Sequence, residues 1–321
     1  MKKILGVMGL LFLMFSNFNV FAGEAKETES FTVCYHTVFS CLNSAEKITG
    51  IDPGQWKSTT DRQKQTLALY QRFGEKDLKQ FKPGEMEGFA SYEPGRIAEF
   101  LTKKGFADLG GSVKNFSAPD FGTVAVMKVN VNWLKIGDSG WIEYQQKWYQ
   151  AATLHKGVRS MELPGTETPI FRLQTQEGDL AYIALIPYEG KDQNGLETEI
   201  SKVIVPFIKG NIKETDQEME ITFPVVKYDG REDISWLVGI NALVKTTPVQ
   251  LADAQMQNKL VMDRNGASVE SAASMMFTKG LSRAFEIKQP FLVWFARPGM
   301  NLPYFIGYIA PDSWVVKNDE D

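Results

Sequence analysis

The chain has 321 residues, 43% of them hydrophobic and 23% charged, which supplies a large core and argues against intrinsic disorder. A formal net charge of -4 with no basic stripe excludes the electrostatic footprint of a nucleic-acid binder. Two histidines and two cysteines leave little material for a zinc site or a histidine-centred catalytic machine, so no metal or cofactor is expected.

The first segment reads as an address. Lys2 and Lys3 precede an apolar run from Ile4 to Phe15 that is too short to span comfortably, and Val20, Phe21 and Ala22 place small residues at a cleavage site. Residues 1–22 are therefore expected to be a signal peptide cut after Ala22, with 23–321 forming one domain. No later segment reaches the ~20 apolar residues of a spanning helix. The mature protein is expected to be soluble and monomeric, away from the membrane, and periplasmic or released if its host is a bacterium.

Export permits disulfides, and Cys34 and Cys41 are the only candidates. On a continuous helix they would stand ~10.5 Å apart along the axis at ~1.5 Å per residue. That exceeds the ~7 Å Cα limit for a bridge. Either the helix is interrupted or both thiols are free. On a strand Cys34 and His36 would share a face, but catalytic Cys and His are usually distant in sequence, so a thiol protease is disfavoured.

Helices come first. Asp61–Phe73 has helical composition, and Pro94–Lys104 places Ile97, Phe100 and Leu101 on one face, with Pro94 in the first turn and Gly105 at the cap. Thr123–Leu134 reads as a long strand, and Leu180–Pro187 as another. Leu196, Ile200, Val203, Ile204 and Phe207 have helical spacing, which Pro206 is expected to end or kink. Met219–Pro224 alternates like a strand, while Ile234, Leu237, Ile240 and Leu243 predict a short amphipathic helix. A small-residue segment from Gly266 to Ser274 then precedes two dense apolar strands, Phe291–Phe295 and Tyr304–Ile309. A loop of this length inside a compact domain is usually functional or disordered. The last residues, Lys317–Asp321, form an acidic tail.

Taken in order, these segments resemble the serpin family. Phe285–Phe295 is similar to the family's F-x-A-D-H-P-F-L-F-x-I segment, and Gly307–Pro311 to its closing G-x-[IV]-x-x-P. Val129–Lys135 resembles V-N-A-x-Y-F-K, with Trp141 standing for the tryptophan that follows it. Ile221–Lys227 resembles V-x-L-P-K-F-K, and the run from Ile234 to Asp253 follows the family's L-G-[IM] helix and A-D-F turn. The likeness covers Thr123–Pro311, and 23–122 is a divergent, shortened helical part without the family's F-x-S-P-x-S-I segment. Asn258, Lys259 and Leu260 stand where the family has H-K-A, so the histidine that bonds across the sheet-opening region is replaced by Asn258, with Asn130 keeping the partner role.

The resemblance implies an α+β fold with a large, mainly antiparallel sheet, smaller sheets, N-terminal helices and an exposed reactive loop over about 266–284. It also implies no enzyme activity but a suicide inhibitor, whose cut loop enters the main sheet as a new strand. The residues suit both states. Ala267, Val269, Ser271 and Ala273 alternate with Ser268, Glu270, Ala272 and Ser274, all modest in size except the glutamate on the second face. Gly266 to Ala273 form the hinge, though Val269 and Glu270 interrupt the family's alanine run. No proline lies between Gly266 and Gln289 to block a central strand.

Counting back from Pro290 points to Lys279 as the residue before the cut bond; counting forward from Gly266 points to Gly280. Lys279 suits the acidic pocket of a trypsin-like serine protease. Arg283 is a second bait, and a cysteine protease is an alternative target. A non-inhibitory serpin-like binding or chaperone protein is the alternative function. An enzyme is disfavoured, since no G-x-S-x-G elbow, P-loop or dinucleotide fingerprint occurs and neither His36 nor His155 has a catalytic partner in sequence.

Overall fold

The computed structural model describes residues 29–116, 120–163, 169–186, 193–268 and 285–317. The expected signal peptide lies outside these residues, as do Val269, Glu270, Ser271, Ala272, Ala273, Lys279, Gly280 and Arg283.

Dense apolar runs build the largest sheet. Seven strands lie side by side, all antiparallel, in the order 31–33, 305–309, 291–296, 180–185, 170–174, 158–162 and 213–218. Alternate residues leave this sheet in opposite directions. Leu292, Trp294 and Tyr182 join a core shared with the helices Tyr35–Thr49 and Gln193–Ile208, while Val293, Phe295 and Ile183 join a second core shared with the smaller sheets. Burial on both faces explains why these strands read as continuous apolar runs instead of alternating ones. Each large side chain here contributes about 1.5–3 kcal/mol.

Two four-stranded sheets sit on the second core. One runs 285–286, 221–224, 147–154, 138–144, with its first pair parallel. The other runs 226–232, 256–262, 266–268, 131–132, and the pair 86–91 with 122–127 lies beside it.

The helix Tyr35–Thr49 is unbroken and stops at Gly50, whose φ of 74° lets its N–H reach the Glu46 carbonyl. Cys34 and Cys41 are accordingly both free thiols. His36 is helical too, so it does not share a strand face with Cys34; its Nε2 lies 3.4 Å from Asp77.

Two other elements differ from expectation. The long strand Thr123–Leu134 is divided into Gly122–Met127 and Val131–Asn132. The expected helix from Ile234 to Leu243 is a single 3-10 turn, Ser235–Leu237, followed by a hairpin of Asn241–Val244 with Thr247–Gln250. Gly239, at φ 99°, ends the turn before a helix can propagate. Elsewhere, the helix from Asp61 continues past Phe73 to Leu78 through a π turn. Pro206 is carried inside the last turn of its helix.

Candidate functional site

The site begins where strand Met256–Met262 ends. Asp263 turns the chain: its carboxylate accepts the N–H of Asn265 at 2.7 Å, and its own N–H donates to the Gly266 carbonyl at 2.9 Å. The returning strand, Gly266–Ser268, is then held on both sides. Val261 pairs with Ser268 and Met262 with Ala267 on one flank; Asn132 pairs with Gly266 and Val131 with Ala267 on the other. The approach is close enough to require glycine, since a Cβ on Gly266 would lie 2.0 Å from the Val131 carbonyl oxygen. Trp133, 1% exposed, locks this end by donating its indole N–H to the Asp263 carbonyl at 2.7 Å.

Below this short strand the sheet parts. Strand 122–127 pairs outward with 86–91, and strand 256–262 pairs outward with 226–232. Among the described residues nothing pairs with their facing edges below Val261. A cavity of 720 Å³ occupies the gap. Val38 and Cys41 of the helix Tyr35–Thr49 line one side; Leu101 and Phe106, from the helical segment after Pro94, line the other. The opening thus has a strand edge on each flank and a helix above and below.

Side chains alternate along the walls. Asn258, Leu260 and Met262 turn inward, whereas Gln257, Lys259 and Val261 turn outward. Inward-facing Asn258 donates to Thr32 Oγ1 at 2.8 Å, and Thr32 in turn donates to the Glu232 carboxylate, which Tyr228 also reaches. Burial raises the pKa of Glu232 against the pull of these hydrogen bonds. Burial likewise pushes the Cys41 thiol up to about 12, so it stays protonated.

Of the residues expected at the sheet opening, Asn258 lines the cavity with its side chain buried, and Asn130 is exposed on the stretch between strands 122–127 and 131–132. Trp141 is elsewhere, 39% exposed on strand Asp138–Tyr144 with Lys317 Nζ 4.9 Å over its ring. Trp133, inside the Val129–Lys135 segment, is the tryptophan nearest the head of the gap by its bond to Asp263, and its place in that segment is the sequence signal for it.

At the far end of the loop, the Phe285 N–H donates to the Glu220 carbonyl and that of Ile287 to the Thr222 carbonyl, each at 2.8 Å. His155 lies beside this anchor, Nε2 2.9 Å from Asp138 and Nδ1 3.1 Å from Glu220. Among the described residues no group of three or more metal-ligating side chains converges.

A short strand, Gly266–Ser268, is seated at the head of a parted sheet, and Phe285 lies on a separate sheet. No protein-family model and no curated protein matches the chain. Solved structures do. Serpin48 of the insect Tenebrio molitor, described as highly specific, superposes with a TM-score of 0.56 at 13% identity, over 88% of this chain and 92% of its own. The chain has the serpin fold.

Mouse protein-Z-dependent protease inhibitor gives a TM-score of 0.57 at 13% identity, over 95% of each chain. Tengpin, a thermophilic serpin in its native state, gives 0.57 at 11% identity, over 96% of this chain and 94% of its own. At such identities the likeness is one of fold. A span of 96% exceeds the stretch from Thr123 onward, so the serpin fold reaches into the N-terminal third, where sequence motifs were absent.

Proposed function

We propose that the protein is a serpin-type suicide inhibitor of a trypsin-like serine protease, exported through the signal in residues 1–22. The observation that carries this reading is the strand Gly266–Ser268, already paired on both flanks at the head of a gap bordered by two strands whose facing edges have no partner among the described residues. Strand addition satisfies such edges and buries apolar surface together.

The protease serine attacks the carbonyl of Lys279, the bond to the Gly280 nitrogen breaks, and the new amine leaves with the Phe285 side of the loop. The acyl-enzyme ester stays on Lys279. The freed segment then zips into the gap from Ser268 downward. Thirteen residue steps from Gly266 to Lys279 span about 43 Å when extended, which moves the attached protease across the domain. The 11–13% identity supports the fold only; the bait at Lys279 rests on the sequence.

Incubation of the purified protein with trypsin is expected to give an SDS-resistant covalent complex, with the cut mapped after Lys279 by mass spectrometry. Lys279→Ala is expected to abolish the complex. Cleavage of the loop without any complex would sink inhibition of this protease class and favour a non-inhibitory binding protein.

A further inference from the structure

We propose that Asn265 is a site of spontaneous covalent modification, converted to aspartate or isoaspartate through a cyclic imide with Gly266, and that Asp263 handles the protons of the ring closure.

The sequence sets the possibility. Asparagine is among the thermolabile residues. Its side chain is closest to attack when the next residue is glycine, which has no Cβ to hinder the approach of its own backbone nitrogen. The chain has two such pairs, Asn194–Gly195 and Asn265–Gly266. The first opens the helix Gln193–Ile208; the second lies in the turn between strands Met256–Met262 and Gly266–Ser268.

The turn brings the reacting groups together. Asp263 Oδ1 accepts the Asn265 backbone N–H at 2.7 Å and the Gly266 N–H at 3.3 Å. Asp263 Oδ2 accepts the side-chain amide of Asn265 at 3.2 Å. One carboxylate therefore touches both the nitrogen that must attack and the nitrogen that must leave, an orientation already made before the reaction. The Gly266 nitrogen bonds to Asn265 Cγ as its proton passes to Asp263 Oδ1. The carboxyl returns a proton to Nδ2, the Cγ–Nδ2 bond breaks with its electron pair, and ammonia departs. Asp263 ends as it began. Asn265 is only half-buried, so water reaches the imide. Hydrolysis between Cγ and the Gly266 nitrogen gives aspartate, and hydrolysis at the main-chain carbonyl gives isoaspartate. The net change is water taken up and ammonia released.

The product does not fit where the asparagine did. Isoaspartate adds a methylene to the main chain just before Gly266, whose backbone already packs so closely that a Cβ would lie 2.0 Å from the Val131 carbonyl oxygen. It also turns the Asn265 carbonyl, which accepts the Trp133 N–H at 3.0 Å, into a free carboxylate beside Asp263. Strand Gly266–Ser268 then cannot keep its register with both residues 131–132 and 261–262.

The test is incubation of the folded full chain at mildly alkaline pH, with peptide mass mapping and isoaspartyl methylation to identify the product. Conversion is expected at Asn265, faster than at Asn194, with lost amide protection over 266–268 in the converted fraction. Asp263→Asn keeps an oxygen acceptor but cannot shuttle a proton, and is expected to slow conversion at Asn265 at least about 10-fold. In denaturant the two proteins are expected to convert at Asn265 equally, which separates proton transfer from sequence. Folded wild type that keeps Asn265 intact while Asn194 converts overturns the proposal, and so do equal rates in folded wild type and folded Asp263→Asn. If amide exchange shows that Asp263→Asn loses the turn, the comparison of Asn265 with Asn194 in folded wild type decides alone.

Discussion

His155 receives two carboxylates on one ring, Asp138 from the start of one strand and Glu220 from the approach to another. Partial burial lowers its pKa, but the two hydrogen-bonded acids outweigh that and leave it raised. A raised folded value means that stability is fully present below the ordinary histidine range, near ~6.5, and is lost as pH rises through the folded value. Since Glu220 also supplies the carbonyl that holds the Phe285 N–H, this loss should loosen the distal anchor of the loop. The protection of the Phe285 and Ile287 amides, taken relative to the base-catalysed exchange of an unfolded chain at the same pH, is expected to be lower at about pH 8 than at about pH 6 in the wild type. His155→Gln is expected to flatten this dependence, and identical profiles in both proteins would remove the clamp. None of this was legible in sequence, because Asp138 and Glu220 reach the ring from distant positions and no local spacing announces them. Trp133 was half legible: the motif around it was seen, but burial, not the motif, makes it the tryptophan at the opening.

Among the elements, the hinge strand is the most constrained. Gly266→Ala brings a methyl group against the Val131 carbonyl, with backbone on every near side. The strand is expected to leave its place between residues 131–132 and 261–262, at a cost of about 1–3 kcal/mol. Hydrogen exchange at the Ala267 and Ser268 amides should then accelerate while the seven-stranded sheet stays protected. Unchanged protection would mean that the sheet moves aside to accept the methyl. Elements with strong periodicity or clear termini were readable, as at Pro94–Lys103 with Gly105 beyond it. The misread helix from Ile234 to Leu243 shows the limit. Apolar residues every third position also fit a turn followed by a strand, and Gly239 decides between them only through its positive φ.

At the scale of the whole molecule, Arg297 ties together parts of the chain that are far apart in sequence. Its Nε and Nη2 donate to Asp179 at 2.7 and 2.8 Å, both terminal nitrogens donate to Glu85, and Nη1 also reaches the Gln80 carbonyl at 2.9 Å. Despite the cost of burial, this cation holds the pKa of Glu85 below the usual range. Arg297→Ala strands two carboxylates, one of them almost fully buried, and is expected to cost about 3–5 kcal/mol in denaturant unfolding. A loss under about 1 kcal/mol would show that water replaces the guanidinium. At this scale the sequence was most informative, because the order of several weak motifs narrows the fold far more than any one of them does. The gap stayed invisible, since it is a pairing not made between strands far apart in the chain, and no residue type encodes it.

The seven-stranded sheet has one further consequence, for the birth of the molecule. Its first strand, 31–33, pairs with its last, 305–309, and the middle is filled by 291–296. A chain emerging from its N-terminus therefore carries an edge of 31–33 and one of 180–185 without their neighbours until residues 291–309 have been made. Pairings of such long range fold slowly, and the waiting edges are open to aggregation. The final hairpin, met at first as two dense apolar stretches near the end of the sequence, acts as a timer: until it is made, the core cannot close.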